Sequence, residues 1–564
     1  MREHSAGFAT RPPHTLLFHT LVNFSLMTPA QPSSPVLRFL LPSVRDLIFV
    51  FLFWSLLAGP LSNRPLADPD IGWHIRTGEQ ILATHTLPRT DSFSSTMQGQ
   101  RWFAWEWLYD LLLGILHWLC GLNGVVWLCA LLVAAIFAIL LSQLLKRGTS
   151  LLLAVGLMLL AEAASTIHLY ARPHIVSWLL TLLWFIVLEK WERWNAMHGS
   201  LPRWIPWFFP LSMLFWVNLH GGWLLGIALL GIYTFAAYME SLREQDSFAA
   251  VRARRRARAM AVAGLASAAA TLVNPFGWRL YAHIYRYLGD RYLMNHIEEF
   301  RSPNFHGWAE RSFVAILLLV VAAFAGQRIS SVGTSADRGR IPLSHLLIVL
   351  LAVYAGFYSS RNLPISSMLL VMIAGPILWE NFAALGVNPG SWRWVRNGAA
   401  RVSNFSERMS VQEMQLRGHV WPMVAAVFGL AICLHGGEIG SRQLIHAQFD
   451  AKKVPVAAVD FLQKQDGAEP IFSNDAWGGY LIYRMYPQRK VVVDDRHDLY
   501  GSDRVRQLLI LTQGEPGWRK VLAEWQIRTV LLPSGSTLAN LLRELPQDWQ
   551  ITYEDRIAIV FERR

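Results

Sequence analysis

Eleven apolar runs punctuate the first 435 residues, at 45–61, 122–145, 151–168, 173–190, 204–219, 222–240, 259–274, 311–327, 343–359, 364–381 and 419–435. A helix needs about 20 apolar residues to cross about 30 Å of hydrocarbon, where every backbone N–H and C=O must be satisfied within the protein. So many runs lead to one fold class, a polytopic α-helical membrane protein. Composition agrees with it. Only 16% of residues are charged, against roughly 25% in a soluble domain. Trp, which favours membrane–water interfaces, supplies 25 of the 564 residues. A disordered chain, a disulfide scaffold and a single soluble enzyme domain are thereby excluded. Cys120, Cys129 and Cys433 lie in apolar stretches without metal-ligand or disulfide spacing.

A twelfth run, 105–120 (WEWLYDLLLGILHWLC), is short and carries Glu106 and Asp110. The basic loops decide its place. If it lies on the surface, Lys146-Arg147, the 189–203 loop, the 241–258 loop ending RARRRAR, the 327–340 loop with Arg328, Arg338 and Arg340, and 382–418 all face the cytoplasm. If it crosses, RARRRAR is translocated, against the positive-inside rule. Eleven spans follow, with the N-terminus in and the C-terminus out. The net charge of +12 then marks cytoplasmic loops, and no nucleic-acid partner is expected. Residues 1–44 are expected to be cytoplasmic and disordered, and 45–440 to form the transmembrane domain, with a first outer loop at 62–121. Residues 448–564 alternate short β-rich runs with helical periodicity, which predicts an extracytoplasmic α/β domain.

This topology gathers DPDIGWHIRTG (68–78), YARPH (170–174), NLHGGW (218–223), NPFGW (274–278), EEFRSPNF (298–305) and SSRNLP (359–364) at the outer ends. In the first of these, Asp68 is expected to cap a short amphipathic helix, with Pro69 at its first position and Asp70 favouring its N-terminus. Capping does not exclude chemistry: carboxylates this close shift one another's titration, and can serve as a general base or bind a cation. His74 stands one turn after Asp70.

The run D-P-D-x-x-W-H-I-x-T-G-E-x-I-L from Asp68, followed by P-R-x-D-x-F-S and W-x-x-x-E-W-L, resembles bacterial members of the GT-C superfamily of membrane glycosyltransferases. The layout of 45–435 resembles them too. The resemblance implies a polyprenyl-phosphate-linked sugar as donor and a glycan, lipid or protein as acceptor, at the outer face of a bacterial inner (plasma) membrane. It implies that a first-loop acid, Asp68 or Asp70, deprotonates the acceptor while the lipid phosphate leaves with inversion. A departing phosphate calls for positive charge at the same face. Arg172 and Arg361, at span ends, are the candidates, though span-end arginines also snorkel. His220 is a further candidate for the phosphate. His74, Glu298 and Glu299 are candidates for positioning the acceptor or a metal; no cofactor is certain, and a divalent cation, Mg or Mn, is the one the acids could hold. Asp91 and Glu106 read as weaker candidates that cap or anchor the surface helices.

Asp494-Asp495-Arg496-His497-Asp498 follows an expected strand at 490–494 and could bind metal or sugar, although a polar strand-end turn explains it more simply. No phosphate-binding glycine loop or dinucleotide fingerprint is present. A secondary transporter or lipid-linked flippase would show inverted repeats and mid-bilayer acids; no repeat is visible, and Glu162 is one of few acids deep in an apolar run. A polysaccharide polymerase or ligase, close in chemistry, and an idle scaffold complete the alternatives.

Overall fold

The computed structural model describes residues 35–198, 204–330, 341–416 and 419–564. Most of the expected N-terminal segment (1–34), parts of the 189–203 and 382–418 loops, and Arg338 and Arg340 lie outside the described residues. Each of the eleven apolar runs falls on a helix. Among the described residues seven helices are long and apolar enough to cross a membrane, or up to nine if two bent pairs each count as one span. Trp204–Leu219 and Leu343–Tyr358 are apolar but shorter, as is Trp107–Cys120. The chain is a multi-pass helical membrane protein.

The RARRRAR run is no loop. It lies in a continuous helix, Ser247–Ala270, begun by the Asp246 side chain accepting from the Phe248 N–H. Arginine is a good helix former, so the run extends the apolar segment after it. That segment then bends by 95° into the amphipathic helix Trp278–Gly289. Pro275 has no N–H to continue the ladder, and Gly277 takes a positive φ of 52°. The Asn274 side chain fixes the corner on Val217 O (3.3 Å) and Asn218 Oδ1 (3.2 Å).

The first loop forms two helices, Ile71–Thr84 and Trp107–Cys120, packed together. They touch at glycine: a Cβ on Gly78 would sit 1.9 Å from the Asp110 carbonyl oxygen, and one on Gly114 would meet Gly78 at 2.5 Å. The expected Asp68 cap is not formed. The helix begins at Ile71, Asp70 occupies the cap position without a side-chain cap bond, and Asp68 accepts from the Asp70 N–H at 3.1 Å. Both carboxyls are drawn away by Arg172, a stronger partner than a lone N–H.

The C-terminal part carries a four-stranded sheet ordered Ile471–Phe472, Thr529–Pro533, Ala558–Arg563, Trp549–Glu554; the first pair is parallel and the others antiparallel. The strand expected at 490–494 is reduced to single bridges from Val491 to Ile471 and to Ser94. The second bridge shows why: the first loop takes over the backbone groups that another strand would have used. Thr96 Oγ1 donates to Val492 O at 2.6 Å, and Ser95 N–H to Val491 O at 2.8 Å. Buried Arg496 clasps Asp91 and Asp494, each at 2.7 Å, between the Phe93 and Trp102 rings. A Cβ on Gly72 would lie 2.1 Å from Gly479 O, so the Ile71–Thr84 helix also touches helix Asp475–Met485 backbone to backbone.

Candidate active site

These contacts bring the short helices, the span ends and the C-terminal sheet to one end of the bundle. Arg172 is the hub. Its Nη1 lies 2.7 Å from Asp68 Oδ2, 3.0 Å from Glu299 Oε1 and 3.2 Å from Asp70 Oδ2. The backbone beside it is fixed by Ala171, whose N–H donates to Pro65 O (2.8 Å) and whose carbonyl accepts from Tyr109 Oη (2.9 Å). Burial opposes the charge on Arg172, but Asp68, Glu299 and Asp70 outweigh it and hold the guanidinium charged.

Glu299 links this hub to the second guanidinium, Arg361 Nη1, 3.3 Å from Glu299 Oε2. The hydroxyls of Ser359 and Ser360 donate to Glu299 O at 2.7 and 3.1 Å, which seats the Glu299 loop on the SSRNLP turn. Burial opposes ionisation of Glu299, but Arg172 and Arg361 hold its carboxyl well below the usual range. Glu298 is exposed at the rim.

His220 faces the same space. The Gly222 N–H donates to His220 Nδ1 at 3.0 Å, and Ser177 Oγ, held by Trp216 Nε1 at 2.7 Å, lies 2.7 Å from it. With Nδ1 accepting, a neutral ring carries its proton on Nε2. That atom lies 3.4 Å from Arg361 Nη2 and 3.7 Å from Glu106 Oε1. Burial, then Arg361, keep His220 neutral by lowering its pKa well below the ordinary value. Two donors thus converge on one stretch of wall.

Glu106 is more than an anchor. It lines the cavity with both arginines, and burial pushes its carboxyl up to about 7 against the pull of Arg361 and Arg172. Asp91, in contrast, is absorbed by Arg496. His74 is buried against Asp110, Nδ1 to Oδ1 2.6 Å, with its ring stacked on Trp73 at 3.6 Å; it lines neither cavity. It therefore acts behind the wall.

The arrangement includes a group the sequence did not connect to it. Asp495 faces Asp70 carboxyl to carboxyl, and its Oδ1 accepts from Trp73 Nε1 at 3.1 Å. Burial raises both acids, then Asp495 and Asp68 raise Asp70 further; Asp70 rises well above the usual range and Asp495 to about 6. Burial and mutual repulsion therefore favour one proton shared by the pair. Beside it His497 Nε2 is bonded to Asp475 Oδ2 at 3.0 Å. The DDRHD cluster was visible as a cluster, but no spacing in the sequence ties it to a loop some 420 residues earlier.

Two cavities meet here. One, of about 330 Å³, has aromatic walls (Trp73, Trp102, Trp105) and includes Glu106, His220 and both arginines. The other, of about 750 Å³, is lined by Asp68, Asp70, Glu299 and Asp475. Arg172, Arg361, Asp495, His497, Tyr287 and Phe300 border both. The first also shares Leu224, Ile284 and Leu288 with an apolar flank cavity of about 640 Å³ between the Trp223 helix and helix Trp278–Gly289. Among the described residues no group of three or more His, Cys, Asp or Glu could hold a metal ion; the acids are arranged around guanidiniums.

No protein-family model matches the chain, and no curated protein matches it in sequence. Solved structures similar to it include the oligosaccharyltransferase of Archaeoglobus fulgidus in apo form, at 10% identity and a TM-score of 0.49 over 87% of this chain and 69% of that one. The archaeal oligosaccharyltransferase AglB from the same organism, in complex with an inhibitory peptide and a dolichol-phosphate, gives the same values. ArnT from Cupriavidus metallidurans bound to undecaprenyl phosphate is similar at 13% identity and a TM-score of 0.45, over 92% of this chain and 97% of that one.

Proposed function

We propose that this chain is an inverting glycosyltransferase of the inner (plasma) membrane of a bacterium, moving a sugar from a polyprenyl-phosphate donor to an extracytoplasmic glycan, lipid or protein acceptor. The observation that carries the reading is the convergence of Arg172, Arg361 and His220 with Asp68, Asp70 and Glu299 around cavities continuous with an apolar flank. A lipid phosphate needs both features, fixed positive donors for its head and an apolar exit for its tail.

In this reading the phosphate head meets Arg172, Arg361 and His220. Guanidinium forks match phosphate oxygens and stay charged at every working pH. A first-loop carboxyl, acting with the acids that face it, takes the acceptor's proton as its oxygen attacks the anomeric carbon from the face opposite the leaving group. The bond from that carbon to the phosphate oxygen breaks, its electron pair stays on the phosphate, and the configuration inverts. Donors already in place where charge grows lower the barrier without reorganising. In this reading the N-terminus lies in the cytoplasm and the 448–564 domain outside, beside the site, which the distribution of basic clusters supports.

The test is sugar transfer in membrane vesicles, read as the mass change of the envelope acceptor. Asp70→Asn is expected to lower turnover by roughly 10²–10⁴-fold, the usual worth of a positioned acid–base group. Asp68→Asn is expected to weaken the hold on Arg172. Wild-type transfer in both single variants and the double variant would reject the role.

A further inference from the structure

Three carboxyls, Asp68, Asp70 and Asp495, face one another near the proposed point of transfer, and they are not equivalent. Asp68 is bound to Arg172 at 2.7 Å. Asp70 is buried, also on Arg172 at 3.2 Å, and borders only the larger cavity. Asp495, from the C-terminal part, is among the described residues the one carboxyl that borders both cavities. Its position is built. The Trp73 indole N–H donates to Oδ1 at 3.1 Å, the Asp70 carboxyl faces it from the first loop, and His497 stands beside it, held by Asp475.

We infer that Asp495 is a catalytic residue of this site: it forms with Asp70 a proton-sharing carboxyl pair, and it is the half of the pair that receives the acceptor's proton. The inference rests on the glycosyltransferase reading and deepens it. Before transfer the pair holds one proton, on Asp70, and one negative charge, on Asp495. The acceptor O–H bond breaks and its proton goes to Asp495. The acceptor oxygen bonds to the anomeric carbon, and the carbon–oxygen bond to phosphate breaks with its electrons retained by phosphate. The pair, now neutral, returns one proton to water in the larger cavity. Arg172 favours the ionised half, and burial favours the protonated half, so one proton is retained. The charged and titratable groups facing Asp495 are Asp68 and Asp70 from the first loop, Arg172 from the turn before helix His174–His198, Tyr287 from helix Trp278–Gly289, and His497 from its own segment. The C-terminal part thus completes the site.

The test uses the full chain in lipid nanodiscs and in vesicles. Infrared difference spectra, wild type minus variant, read the protonated-carboxyl C=O stretch. Asp70→Asn is expected to remove the band and Asp495→Asn to shift it, because burial still protonates Asp70 once its partner carboxylate is gone; a band untouched by Asp495→Asn overturns the pairing. In vesicles, Asp495→Asn is expected to lower turnover on the order of 10²-fold or more with the donor KM little changed, and Asp495→Glu to restore part of it. Wild-type turnover in Asp495→Asn overturns the inference while leaving the glycosyltransferase reading intact, provided that Asp70→Asn is impaired. Wild-type transfer in Asp68→Asn, Asp70→Asn and their double variant overturns both. Should Asp495→Asn fail to fold, Trp73→Phe decides. It removes one donor from the ionised carboxylate, so the acidic limb of the activity profile moves to higher pH; an unmoved limb contradicts the assignment.

Discussion

At the scale of single residues, the site is a set of charges whose balance depends on Glu106. Its carboxyl, raised to about 7 by burial, faces the same arginines that are proposed to take the phosphate. Below that value it is neutral and leaves Arg361 and Arg172 to an incoming anion; above it, a negative charge competes. The phosphate's own second ionisation works the other way, so the useful quantity is a ratio. Undecaprenyl-phosphate affinity of wild type relative to Glu106→Gln is expected to fall by up to about tenfold between about pH 6 and about pH 8. Titration calorimetry in nanodiscs measures it, and a flat ratio contradicts the role. The residues whose meeting was legible in the sequence share one trait: Asp68, Arg172, His220 and Arg361 each stand in a Pro- or Gly-marked break at a span end. Asp495 and Glu106 were not legible as part of the site. Asp495 belongs to a run that reads as a strand-end turn, and Glu106 lies inside an apolar run that hides which way it points. His74 misleads for the opposite reason. Its spacing from Asp70 puts it on the same helical face, but that face is divided between the cavity and Asp110.

At the scale of elements, glycine contacts set how closely the pieces of the site approach. Ala is the better helix former by about 1 kcal/mol, so Gly78→Ala would stabilise an isolated Ile71–Thr84 helix. Its Cβ would collide with the Asp110 carbonyl, a backbone atom that cannot move aside, and overpacking costs on the order of 1–3 kcal/mol. The collision is the larger effect. Gly78→Ala is expected to lower the thermal unfolding midpoint in detergent. Gly156→Ala, on an exposed helix face with nothing within 4 Å of the new Cβ, is expected to leave it level or raise it. Equal midpoints would show that the hairpin is not held by this contact. Helices were legible because hydropathy and periodicity are local: each of the eleven apolar runs lies on a helix. The strand expected at 490–494 was read in excess, because its backbone groups are taken by a first-loop segment that no local pattern reveals. The Arg-rich run reads as a loop by charge, yet helix propensity and its Asp246 cap decide otherwise.

At the scale of the whole molecule, the polar motifs and the basic runs occupy different places for different reasons. Five of the six outer-end motifs contribute residues to the two adjoining cavities; the sixth, NPFGW, supports them through Asn274 on Asn218 and Phe276 on Phe103. This clustering was readable because a span count that obeys the positive-inside rule also sorts the breaks between spans. The C-terminal contribution was not readable, since hydropathy orders spans but does not fold a loop onto a sheet. The account as a whole claims that early carboxylates and distant guanidiniums form one seat for a lipid phosphate. The direct measurement is a cryo-EM map of the full chain in nanodiscs with undecaprenyl phosphate added. The account predicts head-group density in contact with Arg172 and Arg361, with the isoprenoid chain leaving past Leu224 and Ile284. Head-group density away from both arginines, with Glu299 still bridging them as it does here, would contradict it.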